Sequence, residues 1–188
     1  MDALPLSRIV FVPASRPPHR PAPVVSADHR LAMLRLALAN DPRFVIDETE
    51  YQRPGPSYMV DTLATLRTRY SGPFALILGM DAFISLPSWH RWRRILGLAN
   101  IIIVSRPGFD ATLPTWVTPR LRSEPAALMG AARGLAYLFT ASARPESATA
   151  LRQSLEEGTA PAAWLPPGIS TYIEKHKLYR RLPGHDEM

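Results

Sequence analysis

No cysteine occurs in the 188 residues, which excludes disulfides and thiolate metal sites. The five histidines are scattered, at 19, 29, 90, 176 and 185, and none stands at metal-ligand spacing from another. Long apolar runs are missing as well. Crossing a bilayer takes about 18 to 20 consecutive apolar residues, and no stretch approaches that length. Met1 is followed by Asp2 instead of a basic and then apolar leader. The expectation is a soluble, cytoplasmic protein with no membrane partner. Charge does not gather in blocks either. The arginines are spread along the chain, neither massed in a run nor interleaved with aromatics, which argues against a dedicated nucleic-acid reader. No internal repeat is visible.

What is present suffices for one core. With 46% hydrophobic residues over 188 positions, the chain is expected to form a single domain, residues 1–188. Its net charge of +6, from 22 basic and 16 acidic residues, favours anionic partners in general. Short runs of β-branched and aromatic residues predict five strands, at Ile9–Val12, Phe44–Ile46, Phe74–Leu78, Ile101–Val104 and Tyr137–Thr140. The unbroken run FALIL at 74–78 reads as a strand buried on both faces.

Helical spacings lie between the strands. Ser26 caps the first, with Leu31, Leu34 and Leu38 on its apolar face and His29 on its solvated face. Val60, Leu63, Leu66 and Tyr70 mark a second, and Trp89, Trp92, Ile95 and Leu96 a third. A fourth starts at Ser147 and runs to Gly158, and a fifth carries Ile169, Tyr172, Ile173, Leu178 and Tyr179. Segment 48–56 reads as a loop and segment 110–134 as a surface stretch of short helices. Strand and helix in alternation imply an α/β fold: a doubly wound parallel sheet with helices on both faces.

Open sheets of this kind bind ligands outside the carboxyl ends of their strands, and the unusual residues here follow strands. Ile9–Val12 breaks at Pro13 into a stiff cationic loop with Arg16, His19 and Arg20. Ser57 and Tyr58 precede a helix whose first N–H groups are available to an anion, unless Ser57 simply caps it. Asp81 follows Gly79 at the end of the third strand, placed to bind a ribose hydroxyl, hold a metal or cap the next helix. Trp89 suits stacking on a flat ring and Trp92 packing. Arg106 follows the fourth strand. Ser147, Thr149 and Arg152 bring hydroxyls, a helix mouth and a guanidinium to one place, a phosphate site or a plain serine cap. Loops that all follow strands collect on one sheet edge, so their convergence predicts a nucleotide site.

Seven segments in order carry a resemblance: VPASRPPHRP at 12–21, RPGPSYMVDTL at 53–63, LILGMDAF at 76–83, LPSWHRWRRIL at 86–96, IIIVSRPG at 101–108, SATALR at 147–152 and LPPGISTYIEKHKLYR at 165–180. They cover nearly the whole chain, which resembles the bacterial nicotinate-nucleotide adenylyltransferases of the nucleotidyltransferase superfamily, with its Rossmann-like fold. The resemblance implies transfer of an adenylyl group from ATP to nicotinate mononucleotide, yielding deamido-NAD and pyrophosphate, with Mg²⁺ accompanying ATP. It implies that His19, Arg20, Asp81, Ser147, Thr149 and Arg152 serve ATP and its phosphates. Ser57, Tyr58, Trp89 and Arg106 would hold the mononucleotide, Trp89 stacking on the pyridine. Small molecules, and not nucleic acid or membrane, are then the partners.

Three departures stand out. Met59 occupies a position where the family has threonine, tolerable if the contact there is made by backbone N–H. Glu146 stands where the family has an apolar residue ahead of the phosphate-binding serine. Above all, the family's first strand and its His-x-Gly-His motif have no counterpart, so a first βα unit is missing from this sequence. The expectation is an adenylyltransferase sequence truncated at its start, with no more than trace activity as it stands. The alternatives are a non-catalytic nucleotide binder, if Met1 is the native start, and an adenylyltransferase with another acceptor such as phosphopantetheine.

Overall fold

The computed structural model describes residues 4–14, 24–106, 112–142, 147–160, 162–166 and 168–180. In chain order its elements are β1 (Ile9–Phe11), α1 (Ala27–Leu38), β2 (Phe44–Ile46), α2 (Thr49–Gln52), α3 (Met59–Arg69), β3 (Ala75–Gly79), α4 (Met80–Ser85), α5 (Trp92–Leu96) and β4 (Asn100–Ser105). β5 (Leu121–Arg122), α6 (Ala127–Gly130), β6 (Ala136–Thr140), α7 (Ala148–Glu156) and α8 (Ile169–Lys175) follow. All five expected strands are present. Every strand pairing among the described residues is parallel, so the α/β reading holds. The described residues divide into two compact units.

The first unit contains residues 4–7, 52–106 and 112–142 among those described, with a four-stranded sheet in the order β3-β4-β6-β5. Its centre is β4, where three consecutive isoleucines satisfy two faces at once. Successive strand residues point to opposite sides. Ile101 and Ile103 enter a cluster with Val60 and Leu63 of α3, Phe83 of α4 and Ile95 of α5, while Ile102 is buried away from that cluster. The strand buried on both faces is thus β4. FALIL, expected in that role, forms the edge strand β3 instead, and its Ile77 is 40% exposed.

Polar groups at the ends of this sheet are matched with care. Asn100 is fully buried; its Nδ2 donates to the carbonyls of Leu128 (3.0 Å) and Ala131 (2.8 Å), and its Oδ1 accepts from Leu135 N–H (2.9 Å). Arg67 of α3 donates to the carbonyls of Leu98 (2.7 Å) and Ala132 (2.6 Å) and lies over the Phe74 ring at 4.9 Å. These bonds pin α6 and the chain that follows it, a segment expected at the surface. That expectation is corrected in part: Val117 and Leu128 are buried, and β5 is a two-residue strand too short to show any periodicity in sequence.

The second unit contains residues 8–14, 24–51 and 147–180 among those described. β1 pairs with β2 from Ile9↔Phe44 to Phe11↔Ile46. Ser26 caps α1 as expected, its Oγ accepting from His29 N–H at 3.3 Å. His29 is not on a solvated face, however. Its Nδ1 lies 2.9 Å from the Tyr172 hydroxyl and its ring 4.9 Å from that of His176, because α8 packs against α1. Segment 48–56 is not all loop either: α2 forms there, Asp47 Oδ1 accepts from Thr49 N–H at 2.9 Å, and Thr49 and Glu50 are buried. Burial raises the Tyr51 phenol above its ordinary pKa while its hydroxyl donates to the Ala27 carbonyl at 2.5 Å. α7 ends at Glu156, before Gly158, and α8 ends at Lys175. Lys177 and Tyr179 adopt positive φ, so Leu178 and Tyr179 lie beyond the helix that was expected to carry them.

Candidate functional site

The first turn of α3 has no cap among the described residues. Tyr58 is its N-cap residue, in extended conformation (φ −101°, ψ 136°), and no side chain caps the helix. The N–H groups of Asp61 and Thr62 share the Tyr58 carbonyl, at 3.0 and 3.1 Å, whereas those of Met59 and Val60 have no partner among the described residues. Ser57 therefore does not cap this helix. It is only 8% exposed, and its Oγ also has no hydrogen-bond partner among the described residues. A buried hydroxyl without a partner costs about 1–3 kcal/mol. Three donors without partners among the described residues, within four residues of one another and with the positive end of an 11-residue helix behind them, suit an anion.

The aromatic segment meets this turn. Leu86–Ser88 forms a tight 3₁₀ turn, Trp89 follows in extended conformation (φ −76°, ψ 148°), and Arg91 is left-handed (φ 49°, ψ 40°) before α5 starts at Trp92. Trp89 and Trp92 thus do not share one helix, as their spacing implied; the extended backbone at Trp89 and the reversal at Arg91 separate them. Trp92 packs as expected, 4.9 Å from the Trp116 ring and covered by the Arg93 guanidinium at 4.7 Å. Trp89 is half-buried against the core. His90, exposed, stacks on Tyr58 with ring centroids 4.4 Å apart and planes 34° apart. The two segments expected to form a pyridine pocket are therefore in contact. His90 was not among the expected site residues; the available signal was an aromatic at each of two helix starts, which says nothing about their meeting.

Asp81 and Arg106 follow neighbouring strand ends. β3 and β4 are paired up to Gly79↔Val104. Asp81 lies in the first turn of α4, exposed, and makes no hydrogen bond among the described residues, so it does not cap that helix. Arg106 is exposed immediately after β4. An acid and a guanidinium thus stand at adjacent carboxyl ends of one parallel sheet, where such folds place ligands.

In the second unit Ser147 is a plain N-cap, its Oγ accepting from Ala150 N–H at 3.0 Å. Arg152 Nε donates to the Ala148 carbonyl at 2.9 Å. Thr149 and Arg152, with Gln153, Glu156 and Glu157, line an open concavity of about 650 Å³. Burial raises the nearby Tyr179 phenol, against the opposing pull of Arg152 and Arg30. His19 and Arg20 lie outside the described residues. Among the described residues no three His, Asp or Glu side chains cluster as metal ligands, and no helix is long and apolar enough to cross a membrane.

The fold is the Rossmann-like α/β fold of nucleotidyltransferases. It superimposes on the Plasmodium falciparum nicotinic acid mononucleotide adenylyltransferase solved in complex with NaAD, with a TM-score of 0.66 over 92% of this chain and 82% of that one, at 17% identity. The cytidylyltransferase-like family model matches residues 1–154. A probable nicotinate-nucleotide adenylyltransferase of Sodalis glossinidius is 41% identical over 93% of this chain and 84% of its own length. One from Methylococcus capsulatus is 39% identical over 96% and 89%. The chain belongs to the cytidylyltransferase-like family and, within it, to the nicotinate-nucleotide adenylyltransferases.

Proposed function

We propose that the chain transfers an adenylyl group from ATP to nicotinate mononucleotide, forming deamido-NAD in NAD biosynthesis. The observation that carries this reading is the unpaired turn at α3: the Ser57 hydroxyl and the Met59 and Val60 N–H groups, beside Tyr58 and the Trp89 segment. A pyridine carboxylate supplies what that turn lacks. Hydrogen bonds to an ionised acceptor are worth about 1.5–3 kcal/mol each, enough to offset the buried unpaired hydroxyl. Met59 in place of threonine is no obstacle, since its backbone N–H is one of the unpaired donors.

Each site residue then has a role. Ser57 and Tyr58, with the backbone after them, hold the carboxylate; Trp89 stacks on the pyridine; Arg106 pairs with the mononucleotide phosphate. Asp81 serves the nucleotide, and His19, Arg20, Ser147, Thr149 and Arg152 serve the ATP phosphates. Ser147 Oγ accepts from its own helix but keeps its O–H to donate, so Ser147, Thr149 and the remaining guanidinium nitrogens of Arg152 are the donors at that mouth. An oxygen of the mononucleotide phosphate attacks the α-phosphorus of ATP, a P–O bond forms, and the bond to pyrophosphate breaks. No protein nucleophile is required, so the protein contributes alignment and charge stabilisation. Mg²⁺ would neutralise the triphosphate.

The 188 residues contain no His-x-Gly-His, so slow turnover is expected. Long incubation with ATP and either nicotinate mononucleotide or phosphopantetheine, with chromatographic detection of adenylylated product, tests the reading. Product from nicotinate mononucleotide alone is expected; product from phosphopantetheine alone would overturn it.

A further inference from the structure

We propose that the His90 side chain makes the preference for a carboxylate over a carboxamide dependent on pH. The inference rests on the reading above and concerns the same pocket. His90 lies on the Tyr58 ring at 4.4 Å, and Tyr58 is the residue from which α3 starts, directly after Ser57 and before the unpaired Met59 and Val60 N–H groups. The placement is enforced. Trp89 is held by its N–H to the Leu86 carbonyl at 2.9 Å, and Arg91 takes the left-handed conformation that a long side chain seldom adopts. Between these two fixed points the His90 ring is turned onto Tyr58 and left exposed.

The backbone donors and the end of α3 favour a carboxylate over a carboxamide by the same margin at every pH. A titrating charge changes that margin. Histidine is the side chain whose ordinary titration falls between pH 5 and 8, while a carboxylate stays ionised throughout that range. The charged groups on the two elements that meet here are Asp61 in the first turn of α3, Arg67 and Arg69 in its last turn, and Arg91, Arg93 and Arg94 beside and on α5; Arg53 also reaches α3, donating to Thr62 Oγ1 at 3.1 Å. Arg93 is directed over the Trp92 ring. A protonated His90 adds a charge beside the pocket that a carboxylate gains from and a carboxamide does not, and a neutral one withdraws it. The mononucleotide phosphate also titrates near this range, but it is common to nicotinate and nicotinamide mononucleotides, so it cancels in the ratio of their affinities.

The test is calorimetric titration of the 188-residue chain with nicotinate mononucleotide and with nicotinamide mononucleotide at pH 6 and pH 8, in wild type, His90→Phe and His90→Ala. In wild type the affinity ratio favouring nicotinate should rise about fivefold from pH 8 to pH 6, the scale of one partly exposed charge pair. His90→Phe keeps a ring against Tyr58 and should bind nicotinate mononucleotide with a ratio that no longer changes with pH. His90→Ala, lacking the ring as well, should bind both nucleotides more weakly than His90→Phe. A pH-dependent ratio that persists in His90→Phe, or a constant ratio in wild type, overturns this proposal alone. Binding of neither nucleotide by wild type overturns the functional reading and this proposal with it.

Discussion

The Asp81 carboxylate folds back over Gly79 so closely that a Cβ at position 79 would stand 2.9 Å from its Oδ1. The backbone of Gly79 is ordinary (φ −63°, ψ 155°), so glycine here serves the neighbouring acid and not the turn. Gly79→Ala should cost less than about 1 kcal/mol of stability, since an exposed, unpaired carboxylate can swing away. ATP affinity should nevertheless fall about fivefold, to the level of Asp81→Ala, and the double variant should be no weaker than either single one. Fluorescence titration checks this; Gly79→Ala that binds ATP like wild type beside a weakened Asp81→Ala would contradict it.

Ser57→Ala separates site from scaffold. Removing a buried hydroxyl that has no partner among the described residues should leave unfolding free energy unchanged or raise it by up to about 1 kcal/mol. Affinity for nicotinate mononucleotide should drop about tenfold, the loss of one hydrogen bond to a charged acceptor. Urea unfolding and calorimetry report the two quantities independently. A destabilised variant with unchanged affinity would mean that the hydroxyl is structural.

Asn100→Ala should have the opposite signature. It takes that side-chain partner from the buried Leu128 carbonyl and from the half-buried Ala131 carbonyl and Leu135 N–H, at a cost of about 3 kcal/mol. Asn100→Asp keeps the acceptor but loses both donations, and should be destabilised to a similar degree. Urea midpoints measure both.

Asp41 offers a pH test away from the site. The Arg43 guanidinium hydrogen-bonds its carboxylate (Nε to Oδ1 3.0 Å, Nη2 to Oδ2 2.7 Å) and the Arg43 backbone N–H adds a bond of 2.9 Å, which together lower its pKa from 3.8 to about 2. A depressed folded value means a contribution present above pH 3.8 and lost as pH falls through about 2. Carboxyl NMR titration should place Asp41 near 2 in wild type. In Arg43→Ala the midpoint should move up towards 3.8 without reaching it, since the backbone bond survives.

The strands were legible in sequence because β-branched runs bounded by proline and glycine have few other fates, as IIIVS at 101–105 shows. Their burial was not. FALIL and IIIVS look alike in sequence, and position in the sheet, which depends on pairings between distant segments, decided that Ile77 is exposed and Ile103 buried. His29 was misjudged for the same reason: the residues that cover it, Tyr172 and His176, are more than a hundred positions away. At the site, Ser57, Tyr58 and Trp89 could be singled out as residue types in suggestive places. The unpaired state of Ser57 and the Tyr58–His90 stack are properties of three-dimensional proximity alone. Trp89 also shows how backbone overrides spacing, since one left-handed residue after it removes it from the helix that its neighbours enter.

The measurement closest to the central claim is the affinity of the 188-residue chain for nicotinate mononucleotide, compared with that of Trp89→Ala. Wild type should bind saturably at one site per chain, and loss of the stacking ring should weaken binding tenfold or more, for a contact of about 1–3 kcal/mol. No binding at millimolar ligand, or a Trp89→Ala variant that binds as tightly as wild type, would contradict the account.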